Sequence, residues 1–331
     1  MMIRTMHRLA MIAAIVAFCV IVLGAWVRLS HAGLGCPDWP GCYGQLTWPD
    51  AVTEIETANQ AFPERPFESG KAWKEMIHRY LAGSLMLLVF AMGWLAWRGP
   101  ERLHKFRPLA TALVILIIFQ ALLGMWTVTL KLKPIIVMAH LLGGLGSFSL
   151  ILWLMFSSRR QFADKPAISV RRMRSPIIFA IIILGLQIAL GGWTSANYAA
   201  LACPDLPMCG GQWWPEANFS EGFVLWREIG VNYEGGLLDQ SSRVAIHLTH
   251  RIGAVVTLLV LITLAIRLRK IPRLRTGGQL LMSLVLAQFT LGIFNVAFYL
   301  PLANAVAHNA GAALLLATLL GLLSKTSNRT L

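Results

Sequence analysis

Residues 24–45, GAWVRLSHAGLGCPDWPGCYGQ, return at 191–212 as GGWTSANYAALACPDLPMCGGQ. At this offset of 167 the two stretches share Gly24/Gly191, Trp26/Trp193, Cys36/Cys203, Pro37/Pro204, Asp38/Asp205, Pro40/Pro207, Cys42/Cys209, Gly44/Gly211 and Gln45/Gln212. Further along, Gln120, Gly124 and His140 fall on Gln288, Gly292 and His308. Glu75-Met76-Ile77-His78-Arg79 is echoed by His247-Leu248-Thr249-His250-Arg251. Matches of this density mark a tandem duplication.

The chain has 331 residues, 56% hydrophobic and only 13% charged, against about 25% charged in soluble domains. Eight apolar runs lie near 8–29, 78–98, 108–130, 134–156, 176–197, 247–267, 277–299 and 301–324. Each is long enough to cross a bilayer, which takes about 20 helical residues. Four spans per copy is an even number, so both copies enter the membrane in the same orientation. The expected fold is an all-α membrane protein whose eight transmembrane helices form two tandem, pseudo-symmetric four-helix bundles. The N-terminal half is 1–156 with an external loop at 30–74. A basic linker, 157–175, joins it to the C-terminal half, 176–331, with an external loop at 198–246. Loops of that length should hold short amphipathic helices at the outer surface. The first run starts basic, as a signal peptide does. It is too long for an h-region and ends in Trp26-Val27-Arg28, so it reads as a retained anchor.

The net charge of +14 is not a nucleic-acid footprint. Nineteen of the 29 Lys and Arg residues sit in the N-terminus (Arg4, Arg8), the three inner loops (Arg98–Arg107, Arg159–Arg174, Arg267–Arg275) and the C-terminus (Lys325, Arg329). Of 15 acidic residues only Glu101 and Asp164 share that side; the other 13 lie in the two long loops or, for Glu75, directly after the first. This is the positive-inside pattern. It sets a multi-pass protein of the cell's inner (plasma) membrane with both termini cytoplasmic. The basic loops could also attract anionic lipid.

Four histidines lie at similar depth: His78, His140, His250 and His308. Imidazole is costly inside a bilayer and marks function more often than packing. One isolated histidine would read as a helix–helix hydrogen bond; four in two duplicated pairs do not. Two imidazoles facing each other across a four-helix bundle suit one iron with two axial ligands, the b-type haem arrangement. Zinc or copper would want more ligands in one cluster. Gly83, Gly143, Gly144, Gly146, Gly253, Ala307 and Gly311 are small enough to let a flat macrocycle approach, or simply to pack helices closely. Arg79 and Arg251 follow two of the histidines and suit propionates or an interfacial position. Three residues before the ligand, on the same helix face, the halves differ: Glu75 in one, His247 in the other. A carboxylate beside a reacting centre accepts a proton or stabilises a developing cation; it could also be a helix-start carboxylate favoured by the dipole.

Cys36/Cys42 and Cys203/Cys209 are each spaced i,i+6 in the external loops, a compartment that permits disulfides. A small oxidised loop is expected in each, structural or redox-active. Cys19 is expected to pack as a small apolar residue, and His7 and His104 to be solvated.

With these residues the chain resembles the haem A synthase family over nearly its whole length: eight duplicated spans, Glu-x-x-His-Arg in the second span, histidines in spans four, six and eight, and paired loop cysteines. The resemblance implies oxidation of the C8 methyl group of haem O to a formyl group, giving haem A for terminal oxidases. It implies haem b held as cofactor by His250 and His308, the substrate porphyrin between His78 and His140, and Glu75 as the catalytic carboxylate. It gives the Cys36–Cys42 pair a redox or haem-delivery role, and His247 no role beyond supporting the site. Implied partners are haem O, the farnesyltransferase that makes it, an electron-transfer partner, membrane lipid and a second copy of the chain. The competing reading is a dihaem b-type, quinol-oxidising electron-transfer cytochrome; a third is a haem carrier without chemistry. The Glu75/His247 asymmetry speaks against two equivalent electron carriers.

Overall fold

A computed structural model describes residues 2–159 and 167–326. The α-helices in chain order are α1 (Met2–Leu29), α2 (Val52–Ala61), α3 (Ser69–Arg98), α4 (Arg107–Thr129), α5 (Pro134–Arg159), α6 (Ile168–Arg171), α7 (Arg174–Ala196), α8 (Phe219–Gly222), α9 (Gln240–Arg269), α10 (Arg275–Ala297) and α11 (Leu302–Thr326). Among the described residues there are no strands, only two isolated bridges. The charges of Arg160, Asp164, Lys165 and Arg329 and the middle of the expected linker lie outside the described residues.

Eight of these helices are long and apolar enough to cross a membrane. In lipid every backbone N–H and C=O needs an internal partner, which a helix provides along its own length. The expected spans fall on these helices, and α1, α3 and α9 each begin six or more residues earlier than expected. α3 and α9 begin at Ser69 and Gln240, well before the apolar runs at 78 and 247. Their first two turns are polar and stand outside the hydrocarbon, where they meet the external loops. Asp239 caps α9 by accepting the Ser242 N–H at 2.8 Å.

α1, α3, α4 and α5 pack in a ring, each against the next and α5 back against α1; α7, α9, α10 and α11 form a second ring in the same order. The rings join where α1 meets α11 and α5 meets α7 and α11. Small residues line the buried face of α1 (Ala10, Ala13, Ala14, Ala17), which lets backbones approach where lipid offers no hydrophobic drive. Leu87, Trp94, Ile115, Leu186 and Leu259 point outward, as lipid-facing side chains should. Cys19 is also exposed on α1, so it faces outward instead of packing inside. His7 is not solvated: its Nδ1 lies 3.0 Å from Met155 O and 3.2 Å from Ser158 Oγ.

The outer loops carry the expected surface helix only in part. The first has α2, ten residues long; the second has α8, a single turn. Each disulfide loop closes on an aspartate. Asp38 accepts the N–H groups of Tyr43 and Gly44, both at 2.7 Å; Asp205 accepts those of Gly210 and Gly211 at 2.6 and 2.8 Å. The Gly211 and Gly210 N–H groups hold the Asp205 carboxyl below its ordinary range.

The two outer loops also clasp each other. Arg65 makes a bidentate pair with Glu234 at 2.8 and 3.2 Å and donates to Leu34 O. Arg28 donates to Ser195 O at 2.7 Å and lies over the Tyr198 ring. Lys133 Nζ sits 3.7 Å from the centre of the Trp226 ring. Burial alone would raise the Glu234 carboxyl, but the hydrogen bonds and charge of Arg65 outweigh it and hold it low. A depressed carboxyl stabilises the fold above its unfolded pKa and loses that contribution as pH falls through the folded value. Arg65→Ala should therefore destabilise the protein at neutral pH by about 0.5–1 kcal/mol, read as a lower Tm in detergent. The gap between wild type and variant should close as acid protonates Glu234; a pH-independent gap would show that the ion pair is not its source.

Candidate functional site

In each ring the two histidine helices are diagonal partners, α3 with α5 and α9 with α11. His78 and His140 therefore sit on diagonal helices of one bundle, and His250 and His308 on diagonal helices of the other. The four rings are seated alike. A Cβ at Gly24 of α1 would meet His78 Cε1 at 3.0 Å, and one at Gly124 of α4 would meet His140 Cε1 at 3.5 Å. At Gly191 of α7 it would meet His250 Cε1 at 3.2 Å, and at Gly292 of α10 His308 Cε1 at 3.3 Å. Each imidazole thus lies against bare backbone of the next helix. Among the described residues no group of three or more His, Cys, Asp or Glu could hold a metal ion. Two paired imidazoles without a third protein ligand suit a metal that brings its own equatorial ligands. The Nδ1 atoms of His78, His140 and His308 have no hydrogen-bond partner among the described residues.

Three of the glycines singled out from the sequence have other occupants. Gly143, Gly253 and Gly311 receive the amides of Gln120, Gln187 and Gln288, so tightly that a Cβ would lie 1.9, 2.3 and 2.2 Å from them. Gly83 has nothing within 4 Å. The ring-bearing glycines are 24, 124, 191 and 292, and all four follow a leucine four positions after residue 20, 120, 187 or 288. Gly24/Gly191 and Gly124/Gly292 stand among the repeat matches, but which face they present is decided by helix packing.

Glu75 is 4% exposed. Its Oε2 accepts the Cys36 N–H at 3.0 Å, and its Oε1 pairs with Arg79 Nη2 at 2.5 Å. Arg79 in turn donates to Asp38 O, Pro40 O and Gly41 O, all inside the Cys36–Cys42 loop. The second half repeats this with other atoms. His247 Nδ1 accepts the Cys203 N–H at 3.2 Å, Arg251 Nε reaches His247 Nε2 at 3.3 Å, and Arg251 donates to Cys203 O and Met208 O. Both disulfides, Cys36–Cys42 and Cys203–Cys209, are formed. Glu75 and His247 are thus alternative acceptors at one structural position, and both arginines clasp a disulfide loop. That link was not readable from spacing, because it joins residues about 40 positions apart through backbone atoms. Each carboxylate oxygen of Glu75 keeps a second lone pair, so the group remains able to accept a proton. A cleft of about 220 Å³ in the outer loops, beside Tyr43 and Glu54, contains none of the histidines.

Residues 7–320 match the family described as cytochrome oxidase assembly protein. The chain is similar to the haem A synthase of Shewanella oneidensis, with 47% identity over 91% of this chain and 90% of the relative. It is also similar to those of Shouchella clausii (28% identity; 89% and 88% covered) and Rhizorhabdus wittichii (26%; 94% and 90%).

Removing one partner of a buried ion pair costs on the order of 3 kcal/mol. Arg79→Ala should therefore loosen the first disulfide loop from α3. Limited proteolysis in detergent should then cut within 30–68 at least about tenfold faster, since local opening sets cleavage. Wild-type cleavage rates would remove Arg79 from this role.

Proposed function

The chain belongs to the haem A synthase family, and from that premise we propose a division of labour between its two bundles. As a member it is a multi-pass membrane oxidoreductase that converts haem O to haem A, the C8 methyl group becoming a formyl group. The reaction removes four electrons from one carbon, through an alcohol to a hydrated aldehyde that loses water. In the proposed division, His78 and His140 bind the substrate porphyrin in the first bundle, and His250 and His308 hold haem b in the second. The residues fit two iron porphyrins: paired imidazoles on diagonal helices, a glycine against each ring, and no third ligand among the described residues. When bound, haem b supplies one-electron transfer close to the substrate.

The observation that carries the division is the exchange of Glu75 for His247 between otherwise matched positions. A carboxylate three residues before His78 lies on the same helix face as that ligand. It is the group that takes protons leaving the methyl carbon or balances positive charge developing there. Cys36 and Arg79 hold it still, so the acceptor is oriented before substrate arrives. His247 has the same backbone duty without a negative charge, which supports a holding site. Arg79 and Arg251, at the outer ends, contribute positive charge toward the propionates while they clasp the loops. The hydroxyethylfarnesyl tail of haem O favours entry from lipid, from the farnesyltransferase that attaches it, and the electrons leave to a transfer partner. The lysine and arginine bias supports cytoplasmic termini. A dihaem electron-transfer cytochrome is not favoured, because the relatives are haem A synthases.

Glu75→Ala should keep haem b absorbance at wild-type stoichiometry. It should also lower formation of the alcohol and formyl products, read by pigment extraction after haem O is supplied, by at least about a hundredfold. Normal product would remove Glu75 from the mechanism. His308→Ala should lose haem B and His140→Ala should keep it; the opposite pattern would reverse the assignment of the bundles.

A further inference from the structure

Three of the four histidine helices receive a neighbour's glutamine in a glycine notch, and a single copy lacks that packing. In α7–α9, Gln187 Nε2 donates to the main-chain carbonyl of His250 at 3.0 Å and lies 3.1 Å from His250 Nδ1. In α10–α11, Gln288 Nε2 donates to His308 O at 2.9 Å. In both, the amide rests in the notch of the glycine three residues after the histidine, Gly253 or Gly311. In α4–α5, Gln120 also fills the notch of Gly143, with its amide nitrogen toward the glycine and with no hydrogen-bond partner for that nitrogen among the described residues. The sequence unit is Gln-x-x-Leu-Gly on one helix and His-x-x-Gly on the next. It occurs as Gln120–Gly124 with His140–Gly143, Gln187–Gly191 with His250–Gly253, and Gln288–Gly292 with His308–Gly311.

In α1–α3 the unit reads Val20-Ile-Val-Leu-Gly24 with His78-Arg-Tyr-Leu81. The glutamine is replaced by valine, and the notch by leucine. Both halves of the lock are missing together, yet Gly24 still seats the ring and His78 still faces the main chain of Val20. The long outer loop between α1 and α3 is not the reason. α7 and α9 are joined by an equally long loop, and Gln187 there contacts both the carbonyl and the ring of His250.

A glutamine bond to the carbonyl of a ligand residue fixes that point of the ligand helix against its neighbour. Where the ring nitrogen is also contacted, ring rotation is fixed as well. A resident cofactor calls for such fixing on both sides, and His250 and His308 both have it. A substrate that leaves as product needs one side that opens. We infer that His78 is the exchangeable axial ligand of the substrate porphyrin. Its iron–nitrogen bond opens and re-forms without change of oxidation state, while His140 stays in place. Gln120, Gln187 and Gln288 are positioning residues for the other three ligands. This rests on the proposed substrate role of the first bundle.

The test uses the full-length protein in nanodiscs, carrying haem b and loaded with haem O. Release to an excess of albumin is followed, with extracted haem O and haem B separated chromatographically. V20Q/L81G installs the lock at His78 and should slow haem O release roughly three- to tenfold, the range of one interhelical hydrogen bond in a membrane. Haem B content is its internal check of folding. Q187V/G253L should hasten haem B release by a similar factor and shift the low-spin electron paramagnetic resonance signal of that haem. Wild-type haem O release from V20Q/L81G with full haem B would overturn the inference and leave the assignment of the bundles standing. Slowed release of haem B in place of haem O would overturn that assignment. Should V20Q/L81G fail to fold, unchanged haem B release from Q187V/G253L overturns the lock, and faster release supports it.

Discussion

An imidazole laid against bare backbone is the contact on which the arrangement of this protein depends. Each of the four histidines lies against a glycine of the neighbouring helix, and at Gly24, Gly191 and Gly292 an added Cβ would crowd the ring. At Gly24 and Gly191 an added Cβ would come within 3.0 and 3.2 Å of the ring, closer than side chains normally pack. The helix pairs are therefore held at a spacing set by ring thickness. The glutamines that fill the glycine notches one turn further along are consistent with the same spacing. In lipid, where apolar side chains gain nothing by leaving solvent, such close polar and backbone contacts are what distinguishes one helix pairing from another.

The outer surface builds on that frame. α3 and α9 run two turns beyond the apolar core and present Glu75 with Arg79, and His247 with Arg251, to the disulfide loops. Burying the Glu75 carboxylate is costly unless its charge is paired and its oxygens are bonded; Arg79 and the Cys36 N–H meet both needs. The arginine is then tied to loop carbonyls, so loop, carboxylate and ligand helix form one rigid unit. The second half keeps the same connections with a neutral acceptor. A single residue change thus alters the charge at this position while leaving its support of the disulfide loop intact.

Much of this was legible in the residues. Apolar runs, alternating loop charge and the repeat gave eight spans and their boundaries, apart from the more polar first turns of α1, α3 and α9, where hydropathy is silent. The four histidines and the two cysteine pairs followed from spacing. Other expectations failed for reasons of packing. Cys19 faces outward and His7 is hydrogen-bonded because helix rotation, which a nearly all-round apolar helix does not reveal, decides which face is buried. Gly143, Gly253 and Gly311 looked like room for a macrocycle, yet they receive glutamine amides, since a glycine does not announce what approaches it.

The sequence by itself determined the eight apolar spans, the internal repeat and the two cysteine pairs, because hydropathy and repeated motifs are local or additive properties of the chain. Only the tertiary structure decided which glycine carries which ring, that Glu75 and His247 serve one backbone position, and that a glutamine fills a glycine notch beside His140, His250 and His308 but not beside His78. Those facts join atoms from different helices and loops, and their existence depends on how the helices are rotated and packed against one another.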